Sequence, residues 1–280
     1  MEIFKNKAKR ILEKYQIRPK KKMGQNFIFD KNILNKIVNV IEPLDTFLIV
    51  EIGPGPGGLT NILYKREPKN LVLIEKDKEF KNILTDLGQQ YFKTNTVTIF
   101  EDILKLDLYG HEIFKKNQIK FISNLPYYIS TQILLKILPF KKNIIQAVFM
   151  FQKEVAERIL SKPNNKDYSR LSVITQYSCE IKKELIVKSN VFFPKPDVDS
   201  CVLSFKPRKE VNPEDFNIIQ KITKLAFQKR RKTIKNSLSC VQGIESALET
   251  LNIHPQSRAE NLSILQYKKL ASLLRKKKLI

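Results

Sequence analysis

The chain has 280 residues, 42% of them hydrophobic, which is enough for one large domain with a smaller one attached and excludes the disordered class. Its 51 Lys and Arg against 28 Asp and Glu give a net charge of +23, which favours a polyanionic partner such as nucleic acid. No apolar run reaches the roughly 18 residues of a membrane-spanning helix. Three widely spaced cysteines and two histidines predict neither a disulfide framework nor a metal site. We therefore expect a cytoplasmic protein without a membrane segment or a metal.

The positive charge is concentrated at the two ends of the chain. Residues 1–36 carry a net charge of +8 and residues 207–280 carry +10, whereas the long middle section carries only +5. This distribution is typical of a catalytic body with a polyanion-binding segment at each end. The alternative is a composition biased towards lysine, which makes every surface basic whatever its function.

The basic segment 1–25 opens the chain. Apolar residues such as Ile3 and Leu12 alternate there with Lys and Glu, a pattern that predicts a short surface helix. An organelle transit peptide is the alternative interpretation, and Glu2 and Glu13 disfavour it because transit peptides are poor in acids.

Short β-rich runs then alternate with helical stretches, which predicts a parallel sheet with helices on both faces. The runs are apolar throughout rather than alternating, as expected for strands that are buried on both sides. Two later β-rich runs predict an antiparallel pair at the end of the sheet. The predicted strands are Phe47–Ile52, Leu71–Glu75, Thr96–Phe100, Ile119–Ile122, Ala147–Phe151, Leu185–Val187 and Cys201–Phe205, and the predicted helices include Gly58–Tyr64 and Lys78–Leu87.

A change of character marks a second domain. Asn212-Pro213-Glu214-Asp215 combines a capping residue, a proline in the first turn and acids near the positive end of the helix dipole. Only helical periodicity follows. The sequence thus predicts an α/β domain over residues 1–208 and a small all-α domain over residues 209–280.

A glycine-rich loop, residues 53–58, follows the first strand and precedes a helix. Glycines let the backbone turn tightly and approach a ligand closely. Glu75 ends the next strand, where an acid can accept hydrogen bonds from ribose hydroxyls, and Asp102 follows the third strand, where it can meet an adenine edge. The loop lacks Lys and is preceded by Glu51, which suits the cationic, phosphate-free S-adenosylmethionine better than a pyrophosphate. A structural turn without a ligand is the alternative.

The motif Asn124-Leu125-Pro126-Tyr127 follows the fourth strand. An exocyclic base amine is a poor nucleophile because its lone pair is delocalised into the ring. Carbonyl oxygens that accept hydrogen bonds from the amine stabilise the positive charge that develops on nitrogen in the transition state. The adjacent Tyr127 offers a face on which the base can stack. The same residues are also compatible with a strand-to-helix turn capped by Asn.

Two further segments are candidates for contacts with RNA. The stiff segment Val191-Phe192-Phe193-Pro194 can bring one phenylalanine to the other face of the base, although core packing explains a Phe pair equally well. Near residue 229 we expect a helix that grips the RNA backbone while Phe227, Ile234 and Leu238 face inward, the alternative being an ordinary solvated face. The basic residues of this cluster are Lys229, Arg230, Arg231, Lys232 and Lys235.

Six motifs occur together along the chain. They are Gln25-Asn26-Phe27, Glu51-Ile52-Gly53-Pro54-Gly55, Asn124-Leu125-Pro126-Tyr127, Phe192 through Ser200, Gln228 through Leu238, and Arg258-Ala259-Glu260-Asn261-Leu262-Ser263. In this combination the sequence resembles the ribosomal RNA adenine dimethyltransferases of the bacterial KsgA type. The resemblance runs over nearly the whole chain, from about Arg18 to Leu274.

The resemblance implies a Rossmann-like class I methyltransferase domain with a small helical C-terminal domain. It implies dimethylation of two adjacent adenines in the 3′-terminal hairpin of small-subunit ribosomal RNA, with S-adenosylmethionine as methyl donor. The implied partner is the immature 30S subunit, in whose biogenesis the protein would have a role. We expect the protein to be a monomer. Asn124 through Tyr127 would position the target amine and Phe192 would stack on the base. One departure is Tyr128, where many bacterial members have Asn. The expected cofactor contacts are Asn26, Ile28, Gly53, Glu75, Asp102 and Asn124.

Two rival functions remain open at this point. The erythromycin-resistance methyltransferases, which modify a large-subunit adenine, share the glycine loop and the Asn-x-Pro-aromatic motif. The basic segment Gln228 through Leu238 and the Arg258-Ala259-Glu260 ending resemble the small-subunit enzyme instead. A ribosome-assembly or transcription factor that retains only the binding surfaces is the non-enzymatic rival, and the intact motif from Asn124 to Tyr127 disfavours it.

Overall fold

The computed structural model of the protein describes residues 2–108, 110–138, 143–229 and 231–277. Seven strands form one mixed sheet and two very short strands pair separately. None of the described helices combines the length and the apolar character that crossing a membrane requires. The strands are β1 (Phe27–Ile28), β2 (Leu48–Ile52), β3 (Asn70–Ile74), β4 (Asn95–Ile99), β5 (Ile119–Asn124), β6 (Ile144–Gln152), β7 (Cys179–Val187), β8 (Phe192–Phe193) and β9 (Ser200–Pro207).

The strand order of the large sheet is β4-β3-β2-β5-β6-β9-β7. Strands β2 to β6 are parallel to one another, and β9 runs antiparallel to β6. Helices lie on both faces of the sheet, so the predicted Rossmann-like α/β class is confirmed. The order reverses direction next to β2, and the carboxyl ends of β2, β3 and β5 therefore meet at one edge, where ligands bind in open α/β sheets.

The strands with continuous apolar sequences lie in the centre of the sheet. Every residue of β2 is buried, and β5 is buried up to its last residue. Strand β4 lies at the edge of the sheet and is half-exposed, with Val97 among its exposed side chains. Residue pairing such as Val50 with Val72 and Phe121 sets the strand ends in register.

Twelve α-helices occur in the described ranges. They are α1 (Glu2–Lys14), α2 (Lys31–Ile41), α3 (Gly58–Lys65), α4 (Lys81–Gln89), α5 (Glu112–Lys115), α6 (Ser130–Ile137), α7 (Lys153–Leu160), α8 (Arg170–Ser178), α9 (Pro213–Gln228), α10 (Ile234–Ser237), α11 (Ile244–Thr250) and α12 (Ile264–Lys276). Asn212 caps α9 as expected, because its side chain accepts hydrogen bonds from the backbone N–H groups of Glu214 and Asp215.

The N-terminal segment forms the surface helix that the sequence predicts, and one face of this helix is buried. Helix α1 is present, but Ala8 and Leu12 on one of its faces are only 1% and 2% exposed. They belong to the same apolar cluster as Phe27 and Phe192. The amphipathic pattern therefore marks a helix that packs on the body of the protein with one face.

The chain forms two compact units. The first comprises residues up to Lys153 and the segment Lys182–Lys206, and the second comprises Glu154–Ile181 and the chain from Pro207 onward. The predicted boundary near residue 208 stays a prediction, and the compact units differ from it by grouping residues 154–181 with the C-terminal helices.

Aromatic packing explains this grouping. The ring of Tyr177 in α8 stacks on Phe216 in α9, and the hydroxyl of the fully buried Tyr168 donates to the backbone oxygen of Leu262. A boundary drawn from composition alone misses such contacts because they join segments far apart in the chain.

Candidate active site

The glycine loop turns directly after β2 and opens the site. The backbone N–H of Gly53 donates to Ile74 O over 2.8 Å, which anchors the loop to the end of β3. Gly53 and Gly55 have φ values of +67° and +53°, a region that favours glycine. A Cβ on Gly55 would lie 2.9 Å from Cε1 of Phe27, so a side chain has no space there. Backbone is thus exposed to the adjoining cavity as the motif predicts.

Glu75 lies just beyond β3 and is 6% exposed. Its Oε2 accepts a hydrogen bond from Gly55 N (3.0 Å) and its Oε1 accepts one from Asp77 N (2.7 Å). Burial raises the pKa of this carboxyl, and the backbone hydrogen bonds oppose that rise. A carboxylate has about four acceptor positions, so the two oxygens can each accept a further hydrogen bond from a ligand diol.

A polar cluster fixes the N-terminal segment beside Glu75. Asp77 is 6% exposed, and its carboxylate accepts hydrogen bonds from Lys20 Nζ (3.0 Å to both oxygens) and from Gln25 Nε2 (2.9 Å). Gln25 in turn accepts from the backbone N–H of Lys20 over 2.8 Å. Burial would raise the pKa of Asp77, but the hydrogen bonds from Lys20 and Gln25 outweigh it and hold the pKa below its ordinary value.

Asp102 follows β4 and faces the same cavity. Its carboxylate accepts a hydrogen bond from Leu104 N (2.9 Å) and pairs with Lys76 Nζ (2.9 Å). Burial alone would raise the pKa of Asp102, but these two partners hold it below its ordinary value. The group is therefore ionised at neutral pH and available as a hydrogen-bond acceptor.

Glu51 is the last acid of β2 and is 1% exposed. Thr60 Oγ1 donates a hydrogen bond of 2.7 Å to its Oε2. Burial raises the pKa of Glu51 to about 8, against the lowering effect of Thr60 and with a smaller contribution from the charge of Glu75. The carboxyl is consequently mostly protonated at pH 7, whereas the sequence suggested a charged acid beside the loop.

Asn124 ends β5 with its amide oriented by the N-terminal segment. Its Nδ2 donates to Asn26 O over 2.9 Å, so Oδ1 is the atom of this amide that stays able to accept a hydrogen bond. The preceding Ser123 donates a short hydrogen bond from Oγ to Ile52 O, which ties β5 to β2 at the same edge. The structure therefore joins the motif of β5 to the Gln25-Asn26-Phe27 motif.

The aromatic member of the motif is held by its hydroxyl. Tyr127 is half-buried, and its Oη lies 2.5 Å from Oγ of the fully buried Ser200 at the start of β9. Burial raises the pKa of Tyr127, and the hydrogen bond with Ser200 partly opposes the rise. This contact between the motif of β5 and the final serine of the segment 192–200 is one that sequence reasoning missed.

An open cavity of about 980 Å³, including its mouth, brings these groups together. All six residues expected to contact the cofactor line it, as do Leu125, Pro126 and Tyr127. The expected stacking residue does not. Phe192 is 0% exposed and pairs with Ile28 in the small β1–β8 sheet, and it is absent from the lining. Its role against the base stays a prediction.

The basic cluster of the second unit has a conformation that the sequence did not predict. Helix α9 ends at Gln228 and α10 begins at Ile234, so the expectation of one helix through Lys229 and Lys235 is wrong. Thr233 caps α10 and forms an isolated β-bridge with Arg258, which draws the segment out of the helix.

The charges of this cluster are nevertheless on the surface. Lys229, Arg231 and Lys232 are exposed, whereas Lys235 pairs with Glu245 over 2.9 Å. Arg230 lies outside the described residues. Ile234 and Leu238 are fully buried, as predicted, and Phe227 is partly buried.

Known proteins resemble this chain over nearly its whole length. The family model described as ribosomal RNA adenine dimethylase matches residues 16–276. "Ribosomal RNA small subunit methyltransferase A" of Buchnera aphidicola is 42% identical over 251 residues, covering 88% of this chain and 93% of the relative. The protein of the same name from Francisella tularensis is 40% identical over 264 residues, covering 93% and 99%.

Two solved structures share the fold. A dimethyladenosine transferase from Plasmodium falciparum superposes with a TM-score of 0.76 at 24% identity, covering 90% of this chain and 98% of that one. The 23S rRNA methyltransferase ErmE superposes with a TM-score of 0.65 at 22% identity, covering 89% and 99%. The match to the family model and the identity to its named relatives extend over nearly the whole chain, and the chain therefore belongs to the ribosomal RNA adenine dimethylase family.

Proposed function

We propose that this protein uses S-adenosylmethionine to dimethylate the N6 amines of two adjacent adenines in the 3′-terminal hairpin of small-subunit ribosomal RNA. The observation that carries the proposal is the sequence identity of 38–42% to bacterial relatives named as small-subunit enzymes, which extends over 88–93% of this chain. The substrate is the immature 30S subunit and the active form is a monomer.

The chemical groups that line the cavity suit S-adenosylmethionine. Glu75 offers carboxylate oxygens for a ribose diol, Asp102 offers an ionised acceptor for an adenine amine, and the loop at Gly53 offers open backbone. When bound, the cofactor supplies an electrophilic methyl group on a sulfonium cation. No lysine stands in the glycine loop, which is consistent with a ligand that carries no phosphate.

Asn124 supplies the main transition-state contact. Its Oδ1 accepts a hydrogen bond from the adenine amine, and that bond strengthens as positive charge develops on the nitrogen. Because Asn26 O already binds Nδ2, the side chain is oriented before the base arrives.

A backbone oxygen completes the acceptor set. The carbonyls of Pro126 and Tyr127 are occupied by Ile129 N (3.1 Å) and Ser130 Oγ (3.0 Å). Leu125, between Asn124 and Pro126, lines the cavity, so we assign its carbonyl oxygen as the second acceptor for the amine. The amine loses its proton after the transfer, and no strong general base is required beforehand.

Tyr127 holds one face of the target base. The hydrogen bond to the buried Ser200 fixes the rotation of the ring, so stacking does not have to order it. The exposed Lys229, Arg231 and Lys232 of the second unit serve as contacts to RNA phosphates. Because these residues lie outside a helix, their segment can follow the RNA backbone and place several flexible cations along it.

The test is methyl transfer to isolated small subunits. Subunits from a strain that lacks this modification should gain four methyl groups, on two adenines, as measured by mass spectrometry of the digested RNA. Subunits that already carry the modification are the matched control and should gain none. Transfer to large subunits instead, together with macrolide resistance in cells, would establish the erythromycin-resistance activity and overturn the proposal.

A further inference from the structure

The ring of Tyr128 is unusually exposed for its position. It follows the buried Leu125 and the half-buried Tyr127 in the chain, yet 51% of its surface is accessible. It lines the mouth of the same cavity as Asn124. Among the described residues, the only other large aromatic side chain exposed to this degree is Phe92, which lies in the turn between α4 and β4. An exposed aromatic ring that lines a substrate cavity offers a face on which a base can stack.

The local backbone holds this ring in place. Residues Tyr127–Ile129 form a single 3₁₀ turn, closed by a hydrogen bond of 3.1 Å from Ile129 N to Pro126 O. On its other side the ring lies against Gly24, where a Cβ would come within 3.1 Å of Cδ1 of Tyr128. Gly24 has a φ of +60°, so the backbone there both favours glycine and leaves room for the ring. The ring is therefore supported by backbone on one side and open to solvent on another.

A cation accompanies the ring at the cavity mouth. Lys76 also lines the cavity, and its side chain is 51% exposed while its Nζ pairs with Asp102 over 2.9 Å. An aromatic face for a base together with a lysine for a phosphate is the combination that single-stranded nucleic-acid sites use.

The proposed reaction requires such a surface. A target base must leave its stack to reach Asn124, and the nucleotide beside it then loses a stacking partner. Since the two target adenines are adjacent, one neighbour of whichever adenine occupies the pocket is itself an adenine. Phe192, the other aromatic candidate, is fully buried in this structure. Tyr128 is the ring that is already exposed at the mouth.

From these contacts we propose that Tyr128 is a stacking platform for the adenine adjacent to the one being methylated. This inference rests on the proposed function and adds a binding subsite to it. Tyr127 holds the target base, and Tyr128, the next residue in the chain, holds the neighbouring base. The subsite recognises an unstacked purine through its face and not through its hydrogen-bonding edge.

The test compares Tyr128→Ala, Tyr128→Phe and Phe92→Ala with the wild type on unmodified small subunits. Loss of a stacked base weakens binding by roughly 5- to 150-fold, so Tyr128→Ala should raise the KM for subunits by that factor. Tyr128→Phe should stay within about twofold of the wild type, because phenylalanine keeps the face. Phe92→Ala, which removes an exposed ring away from the cavity, should behave as the wild type.

Two further measurements separate stacking from other roles. The affinity for S-adenosylhomocysteine should be the same in all four proteins, and a parallel loss in Tyr128→Ala would assign the ring to the cofactor instead. Subunits with uracil in place of the adjacent adenine should show a smaller effect of Tyr128→Ala, because uracil stacks more weakly.

The outcomes distinguish this inference from the proposed function. Equal KM values for Tyr128→Ala and the wild type, or an equal loss in Tyr128→Phe, would overturn the stacking role while transfer to small subunits still upholds the proposed function. Absence of transfer by all four proteins would overturn the proposed function and this inference with it.

Discussion

Replacing Glu51 with Gln should change how the stability of the protein depends on pH. The carboxyl has a pKa of about 8 in the fold because it is buried, against an ordinary value of 4.5. Below pH 4.5 the folded and unfolded chains both hold the proton. Between pH 4.5 and 8 only the folded chain holds it, so the free energy of unfolding falls as the pH rises, and above pH 8 the loss is complete.

The size of the effect follows from this interval. At 1.36 kcal/mol per pH unit, the loss is about 3 kcal/mol at pH 7 and on the order of 5 kcal/mol above pH 8. Gln is neutral at every pH and keeps an oxygen for Thr60 Oγ1. Glu51→Gln should therefore be more stable than the wild type by roughly 6–12 °C in Tm at pH 7, with little difference near pH 4.5.

Thermal melts at pH 5, 7 and 8.5 are the assay, and Glu67→Gln is the matched control. Glu67 belongs to the same unit but is exposed and paired with Lys93, so its replacement makes the same chemical change at a carboxyl that is not buried. A Tm difference between Glu51→Gln and the wild type that stays constant from pH 5 to pH 8.5 would refute the reasoning.

The cofactor's cation should favour the ionised carboxylate, and the stabilisation that S-adenosylmethionine gives at pH 8.5 should be smaller in Glu51→Gln.

Three other outcomes are expected. Glu75→Ala should weaken S-adenosylhomocysteine binding by about 1–3 kcal/mol in calorimetry, because a ribose acceptor is lost and two backbone N–H groups lose their partner; unchanged affinity would remove Glu75 from the site. Asn124→Ala should lower the single-turnover methylation rate about 100-fold or more with subunit binding intact, and a near wild-type rate would exclude its role. Replacing Arg231 and Lys232 with Ala should reduce the salt dependence of subunit binding by a slope of about one per lost phosphate contact; an unaltered slope would make the cluster ordinary surface charge.

The large sheet and the cofactor wall could be predicted because their signals are local. A parallel strand buried on both faces requires a continuous apolar run, as in Leu48–Ile52, and the chain must place its polar groups directly after such runs. Glu75 and Asn124 are found at strand ends for this reason, and both line the cavity.

The parts that could not be predicted depend on partners far away in the sequence. The pairing of Phe27 with Phe193 involves strands of two residues each, too short for periodicity to mark, yet it accounts for the burial of Phe192. The end of α9 depends on the bridge between Thr233 and Arg258. The sequence has no helix-breaking residue, such as Gly or Pro, at this point. Local helix propensity was overruled by tertiary contact in this segment.

The same distinction applies to the two sides of the cavity. Asn124 stands on a central strand whose interior is fully buried, so its position is fixed by apolar packing and by the ladder to β2 and β6. The N-terminal segment lines the cavity with residues 23–25. It is held by Asp77 through Lys20 and Gln25, and the side chain of Lys20 is 38% exposed. An ion pair with one exposed partner contributes little by itself, whereas the apolar strand opens only with the whole sheet. We therefore expect exchange of cofactor and product to displace the N-terminal segment first, because that segment can shift without breaking the core that holds Asn124.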